Sequence, residues 1–271
     1  ELGFSNDFAI YDTQDQLTLI KQCMKATETS TDAFPPKTLL NHIGGFKNNF
    51  LMPKDLNLDE MPYGHQLKAA DLYPIYQAAL KKNNALDFDD LLVLAGMLFQ
   101  EAPSLRAYYN EKFQHILVDE FQDTNRLQYE WLKLLAGGDN AMLAVGDDDQ
   151  SIYAFRGARV GNMADFVREF GVKHQIKLEH NYRSCSNILD TANTLISNNR
   201  QRLGKNLRTE AGEGELVRAM EAPSDYAEAD WLMDEIKQLV REGVPRQEMA
   251  VLYRSNAQSR VIETGLFNYS I

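Results

Sequence analysis

Long apolar runs are missing from this 271-residue chain. No stretch approaches the roughly 20 residues that a membrane-spanning helix needs. The opening ELGFSNDF lacks the basic-then-apolar pattern of a signal peptide. Cysteine is scarce. Cys23 and Cys185 show neither a pairing nor a metal-ligand spacing, which fits a reducing compartment and predicts a cytoplasmic protein. Positive charge is in deficit: 28 Lys and Arg against 39 Asp and Glu leave a net charge of −11. That balance argues against non-specific nucleic-acid binding over the whole surface but allows a local groove. Internal repeats and low-complexity tracts are absent. So is any G-x-x-x-x-G-K-[ST], the loop that cradles phosphates and supplies a lysine to them. The rest is ordinary for a globular chain, with 44% hydrophobic and 25% charged residues. The length suits one large domain or two to three small ones.

Residues 1–112 read as mostly helical. Asp12-Thr-Gln-Asp-Gln16 precedes the periodic run Leu17, Leu19, Ile20, Met24 and predicts an N-capped amphipathic helix. Phe34-Pro-Pro-Lys37 breaks it. A short helix is expected over 38–43, closed by Gly44-Gly45. A longer one is expected over 66–82, with Lys81 and Lys82 at the end where the dipole favours cations. Asp87 is the expected cap of the helix opening at Ala85-Leu-Asp-Phe-Asp-Asp-Leu-Leu92.

From about residue 112 strands alternate with helices. Strands are predicted at Ile116–Val118, Ala141–Val145, 175–178, 216–220 and Met249–Tyr253. Helices are predicted at 125–135, 164–170, 186–198, 225–242 and from Ser259 onward. Alternation of this kind means βαβ units and a parallel sheet.

The stretch Ile116-Leu-Val-Asp-Glu-Phe-Gln-Asp-Thr124 organises this half. Three apolar residues read as a buried parallel strand, and two carboxylates follow at its carboxyl end, where open α/β sheets bind ligands. Such a pair can hold a magnesium ion and activate a water. Asp-Glu pairs are common, and alone this one is no more than an acidic turn. Three more polar clusters follow predicted strands: Gly146-Asp-Asp-Asp-Gln-Ser-Ile-Tyr-Ala-Phe-Arg-Gly-Ala158, Glu179-His-Asn-Tyr-Arg-Ser184 and Arg254-Ser-Asn-Ala-Gln-Ser-Arg260. Acids, arginines and a positioned water equip phosphoryl transfer. Exposed aromatics beside polar groups equip base stacking. Singly, Tyr153 and Phe155 read better as core aromatics, Arg183 as a surface ion pair and Arg260 as a helix-start residue. The ordered set makes the bland reading a small minority.

VDEFQDTN, VGDDDQSIYAFRGA, LEHNYRS and VLYRSNAQSR resemble motifs II, III, IV and a later motif of UvrD/Rep/PcrA-type superfamily 1 DNA helicases. ALDFDDLL resembles the segment before motif II. The likeness covers most of 85–271 and, more loosely, the helical start. It implies an α/β fold of P-loop NTPase (RecA-like) parallel sheets. Residues 1–112 would be part of a helical 1B region, 113–178 the second half of motor domain 1A, and 179–271 the first half of motor domain 2A, ending before 2B. It implies ATP and Mg2+ as cofactors. Asp119 would be the magnesium ligand, and Glu120 would share the metal shell and activate water. Gln150 would sense the γ-phosphate, Tyr182 would stack on adenine, and Arg183 would be an arginine finger. Single-stranded DNA would meet Tyr153, Phe155 (in place of the family's usual Trp), Phe88, Arg254, Asn256 and Arg260. Partners would be single-stranded DNA and single/double-strand junctions, with repair or replication proteins besides. His180 stands where Gln is usual.

The chain opens on Glu and stops at Ile271 just after a helix has begun. It is therefore expected to be an internal piece of a longer 3′→5′ helicase, without ATPase activity alone. Two alternatives stand beside this: a helicase subunit of a RecB/AddA-type helicase–nuclease, and a non-catalytic DNA- or partner-binding module. The retention of Asp119, Glu120, Gln150 and Arg183 weighs against the second.

Overall fold

A computed structural model describes residues 2–137, 140–200 and 202–271. Strand β1 (Ala9–Tyr11) leads into α1 (Thr13–Ala26). Asp12 accepts the N–H groups of Gln14 and Asp15, and the Asp15 carboxylate returns to the Asp12 N–H, closing a capping box. Leu19, Ile20, Cys23 and Met24 share the buried face. Helix α2 (Pro36–Asn48) starts on a proline, which loses no hydrogen bond there. It runs on through Gly44 and Gly45, where closure was expected. The buried stripe Leu39, Ile43, Phe46 and Lys47 continues past them, and its packing outweighs the roughly 1 kcal/mol that each helical glycine costs.

Helix α3 (His65–Lys82) ends at Asn83, and Asn84 turns the chain at φ +49°. The three-residue strand β2 (Ala85–Asp87) pairs in parallel with β1, Ala9 opposite Ala85. Neither strand was read from the sequence, because three residues carry no periodicity. Helix α4 (Phe88–Glu101) is capped by Asp87, reciprocated by Asp90. Helix α5 (Pro103–Lys112) follows. The helical core gathers α1, α2 and α3 around Ile20, Met24, Leu39, Leu72, Tyr73, Tyr76 and Leu80. Lys47 lies wholly buried beside it. Its Nζ is 2.6 Å from Asp87 Oδ2 and 2.7 Å from Asp90 Oδ1. Tyr76 donates to Asp87 and Gln77 to Asp90.

Strand β3 (His115–Val118) and strand β4 (Ala141–Ala144) are parallel, Ile116 opposite Met142. Between them lies α6 (Arg126–Leu135), capped by Asn125, and after them α7 (Gly161–Glu169). One sheet face packs Ile116, Val118, Met142 and Ala144 against Phe99, Phe121, Leu132 and Phe166. The expectation of a strand buried on both faces is corrected here. Leu117 is 72% exposed and Leu143 54%, because helices cover one face of these two strands and not the other.

The chain divides into two compact units: residues 1–177 with 199–205, and residues 178–198 with 206–271. The second holds α8 (Ser186–Ile196), α9 (Asp225–Arg241) and α10 (Asn256–Asn268). Helix α10 packs on α9 with Gly265 beside Ala229 and Met233. The strands expected at 175–178, 216–220 and 249–253 are not formed. A parallel strand exists only through its neighbours' hydrogen bonds, and among the described residues this region has only the isolated bridge His180 to Arg208. No helix among the described residues is long and apolar enough to cross a membrane.

Candidate functional site

Both loops of the first unit's site leave the carboxyl ends of β3 and β4, the position at which open parallel sheets bind ligands. After Val118, Glu120 takes a left-handed conformation, φ +50° and ψ +42°, which is uncommon for a residue with a Cβ. The turn leaves the side chains of Asp119 and Glu120 in solvent and sends Phe121 and Gln122 inward. The Phe121 N–H donates to Val145 O at 3.0 Å.

Gln122 is 1% exposed and joins the two loops. Its Nε2 donates to Glu120 Oε2 at 2.7 Å, and its Oε1 accepts the Asp147 N–H at 2.8 Å. A Cβ on Gly146 would lie 2.7 Å from Gln122 Oε1 and 3.2 Å from Phe121 N. The amide thus fixes the Glu120 carboxylate, and the glycine makes room for the amide. Neither residue was singled out from the sequence. The available signal was a glutamine between Phe121 and Asp123 directly after a strand, and a glycine directly after the next. Asn162, also buried, donates to Thr124 O and Asn125 O and ties α7 to the same turn.

In the second loop Gln150 donates to Asp147 Oδ2 at 2.6 Å. Asp147, Asp148 and Asp149 bring their carboxylates close enough together to suit a metal. Two cations and a backbone N–H already serve them. Lys205 pairs with Asp147, Arg202 Nε reaches Asp149 Oδ1 at 2.9 Å, and the Leu203 N–H reaches Asp148 Oδ2 at 2.6 Å. Burial pushes the Asp147 carboxyl up, but the bonds from Lys205 and Gln150 outweigh it and hold it below its ordinary range. The exposed Asp119 and Glu120 are therefore the freer acceptors for an added cation.

Tyr153 precedes a short 3-10 turn that contains Phe155, and their ring centroids are 5.8 Å apart. The Arg156 guanidinium lies 5.0 Å from one ring centroid and 5.5 Å from the other. Phe155 is 73% exposed, so the core-aromatic reading fails for it. These residues border a groove of about 830 Å³ whose opposite wall is α2. Asp89 lines that groove; its neighbour Phe88 does not, although Phe88 is exposed. Burial, then the charge of Asp87, pushes the Asp89 carboxyl up to about 6.

In the second unit Asn181 accepts the N–H groups of Arg183 and Ser184, an Asx turn that presents Tyr182 and Arg183 to solvent. Tyr182 is 89% exposed, and its ring centroid lies 4.4 Å from that of His180. Arg254, Asn256 and Arg260 are exposed around the start of α10, where Gln258 accepts the Arg254 and Ser255 N–H groups.

Residues 1–171 match the UvrD/REP helicase N-terminal domain, and residues 176–271 the UvrD-like helicase C-terminal domain. The chain belongs to the UvrD/Rep helicase family. It is 43% identical to DNA helicase II of Haemophilus influenzae over all of its own length and 37% of that protein's. It is 42% identical to DNA helicase II of Escherichia coli over the same shares. It is 40% identical to the ATP-dependent DNA helicase PcrA of Leuconostoc citreum over 98% of the chain and 35% of PcrA. The chain thus spans little more than a third of these UvrD/Rep relatives. Its mixed α/β structure with short parallel pairings agrees with the fold expected of the family.

Proposed function

We propose that this chain is part of the motor of an ATP-dependent 3′→5′ DNA helicase, and that the acidic turn after β3 is half of its nucleotide site. The observation that carries this is the Gln122 bridge, which fixes the Glu120 carboxylate to the loop that holds Gln150. A buried amide spent on orienting an exposed carboxylate is an arrangement for chemistry at that carboxylate. Residues 1–112 are assigned to a helical 1B region, 113–178 to motor domain 1A and 179–271 to motor domain 2A.

Asp119 and Glu120 offer exposed carboxylate oxygens, which suit a magnesium ion that keeps most of its waters. A bound magnesium would neutralise charge on the phosphates. Glu120, held by Gln122, would accept a proton from the attacking water. Gln150, exposed and bonded to Asp147 through one amide proton, keeps donor capacity for a γ-phosphate oxygen. Tyr182 supplies a flat face for adenine and Arg183 a planar fork for phosphate. Tyr153, Phe155 and Phe88 of the first unit, and separately Arg254, Asn256 and Arg260 of the second, are contacts for single-stranded DNA at a single/double-strand junction, in a cytoplasmic protein that works beside repair or replication proteins.

The test is DNA-stimulated phosphate release and strand separation on a 3′-tailed duplex by the full-length natural protein carrying this sequence. Both activities are expected there, and neither from the 271-residue chain alone. A full-length protein that binds ATP but never separates strands would contradict the reading.

A further inference from the structure

Residues Asn199–Lys205 follow α8 in the chain, yet they belong to the first unit. There residues 202–205 lie as a strap against the loop after β4. Gly204 turns the strap at φ +71°, a conformation that favours glycine, and a Cβ on it would meet nothing within 4 Å. The glycine thus serves the backbone and not the fit. Lys177 donates to the carbonyls of Leu203 and Gly204 and holds the turn. Arg202 donates to Lys205 O at 3.1 Å, which closes the strap on itself.

Ion pairs in open solvent contribute little. The side chains of Arg202 and Lys205 are only 18% exposed, and the loop they grip is one that would not hold its shape alone. Asp147, Asp148 and Asp149 crowd three carboxylates together, and like charges at that range repel. Arg202 takes both oxygens of Asp149, the Leu203 N–H takes Asp148, and Lys205 takes Oδ1 of Asp147. The Asp149 N–H shares that Oδ1 at 3.0 Å. Asp147 Oδ2 is left to accept the Gln150 amide at 2.6 Å. Lys205 therefore sets the plane of the carboxylate that in turn sets Gln150.

We propose that Arg202 and Lys205 are positioning residues for ATP hydrolysis: they fix the loop of residues 147–149 so that Gln150 is presented to the γ-phosphate. This rests on the role given to Gln150 in the motor reading above. Neither cation acts on the nucleotide directly; both act through the aspartates. The Gln150 bond is charge-assisted only while its acceptor is an oriented carboxylate. Without the strap Asp147 is free to turn away from its two neighbours, and Gln150 loses its anchor.

The experiment measures DNA-stimulated phosphate release against ATP concentration in the full-length natural protein carrying this sequence. Lys205→Met, Lys205→Arg, Arg202→Gln and Gln150→Ala are compared, and each neutralising variant is also combined with Gln150→Ala. Oligo-dT affinity without nucleotide is followed in parallel. Lys205→Met should lower kcat about tenfold, within the loss that a misplaced group causes. Its KM for ATP and its oligo-dT affinity should change by less than about threefold. Arg202→Gln should act in the same way, and Lys205→Arg, which keeps the charge, should recover most of the rate. Adding Lys205→Met to Gln150→Ala should lower kcat by less than about twofold more, because both losses run through one amide. If Lys205→Met fails to fold, Arg202→Gln, alone and with Gln150→Ala, decides. Full kcat in the single variants, or losses that multiply in the combined ones, overturns the positioning role and leaves the motor reading intact. So does a loss confined to KM, which would mean that the cations only offset the repulsion between the aspartates and the polyphosphate. No DNA-stimulated phosphate release by the unsubstituted protein overturns the motor reading and this inference with it.

Discussion

The helical region of residues 9–101 and the second unit carry equally clear amphipathic patterns, yet they finish their cores differently. In the first, α1, α2 and α3 close around a buried apolar centre, and even a lysine is buried there with two carboxylates to meet it. In the second, buried hydrophobics reduce to Leu189, Ala229 and Met233. Its apolar segments stay open there, with Leu216 78% and Leu252 93% exposed. A helix makes its backbone bonds locally, so its stripe needs only a neighbouring stripe. A parallel strand needs another strand from elsewhere in the chain before its side chains gain a face to bury.

Several substitutions would break or sharpen that comparison. The largest effect is expected at Lys47. Lys47→Met leaves Asp87 and Asp90 buried without their cation and should cost about 3–5 kcal/mol, read as a shifted urea midpoint. A loss below about 1 kcal/mol would mean that the helical core is not organised around this cluster. Met233→Ala, in the thinner core, should cost about 2 kcal/mol, the low end for such truncations.

Asp89 adds a pH dependence to the first region. Its carboxyl is pushed up to about 6 in the folded chain, so between about pH 4 and pH 6 the folded state binds more protons than the unfolded state. Its contribution is therefore most favourable below about pH 4 and is lost as pH rises to about 6. Asp147 and Glu169 are shifted down and lose stability in the opposite direction, as pH falls. The contrast that isolates Asp89 is the urea midpoint of the unsubstituted chain minus that of Asp89→Asn, measured across this range. It should decline as pH rises; a flat difference would refute the assignment. The smallest effect is expected at Leu252→Ser, within about 0.5 kcal/mol because the side chain is already in water. A large loss would show that this segment is covered after all.

The sequence made the helices legible because their information is local. Asp12 and Asp87 cap where they were expected to, and α3, α6 and α9 fall within two residues of their expected ends. The carboxylates after β3 and the polar loop after β4 were also legible, since strand-then-acid order survives as linear text. Less legible were features set by distant partners. The pairing of β1 with β2 joins residues 9–11 to 85–87. Gln122 acquires its role only when Gly146 and Asp147 arrive beside it. Gly44-Gly45 read as a helix stop because the stripe that carries α2 through them is buried by α3. The segments 175–178, 216–220 and 249–253 have strand composition without strand partners.

The central claim is that Glu120, oriented by Gln122, activates water for phosphoryl transfer. The most direct measurement is DNA-stimulated phosphate release by the full-length natural protein carrying Glu120→Gln, with oligo-dT binding followed in parallel. The account predicts release lowered by at least about a thousandfold, the scale of losing an activating group, with oligo-dT affinity within about twofold of the unsubstituted protein. Phosphate release at the normal rate in Glu120→Gln would contradict it.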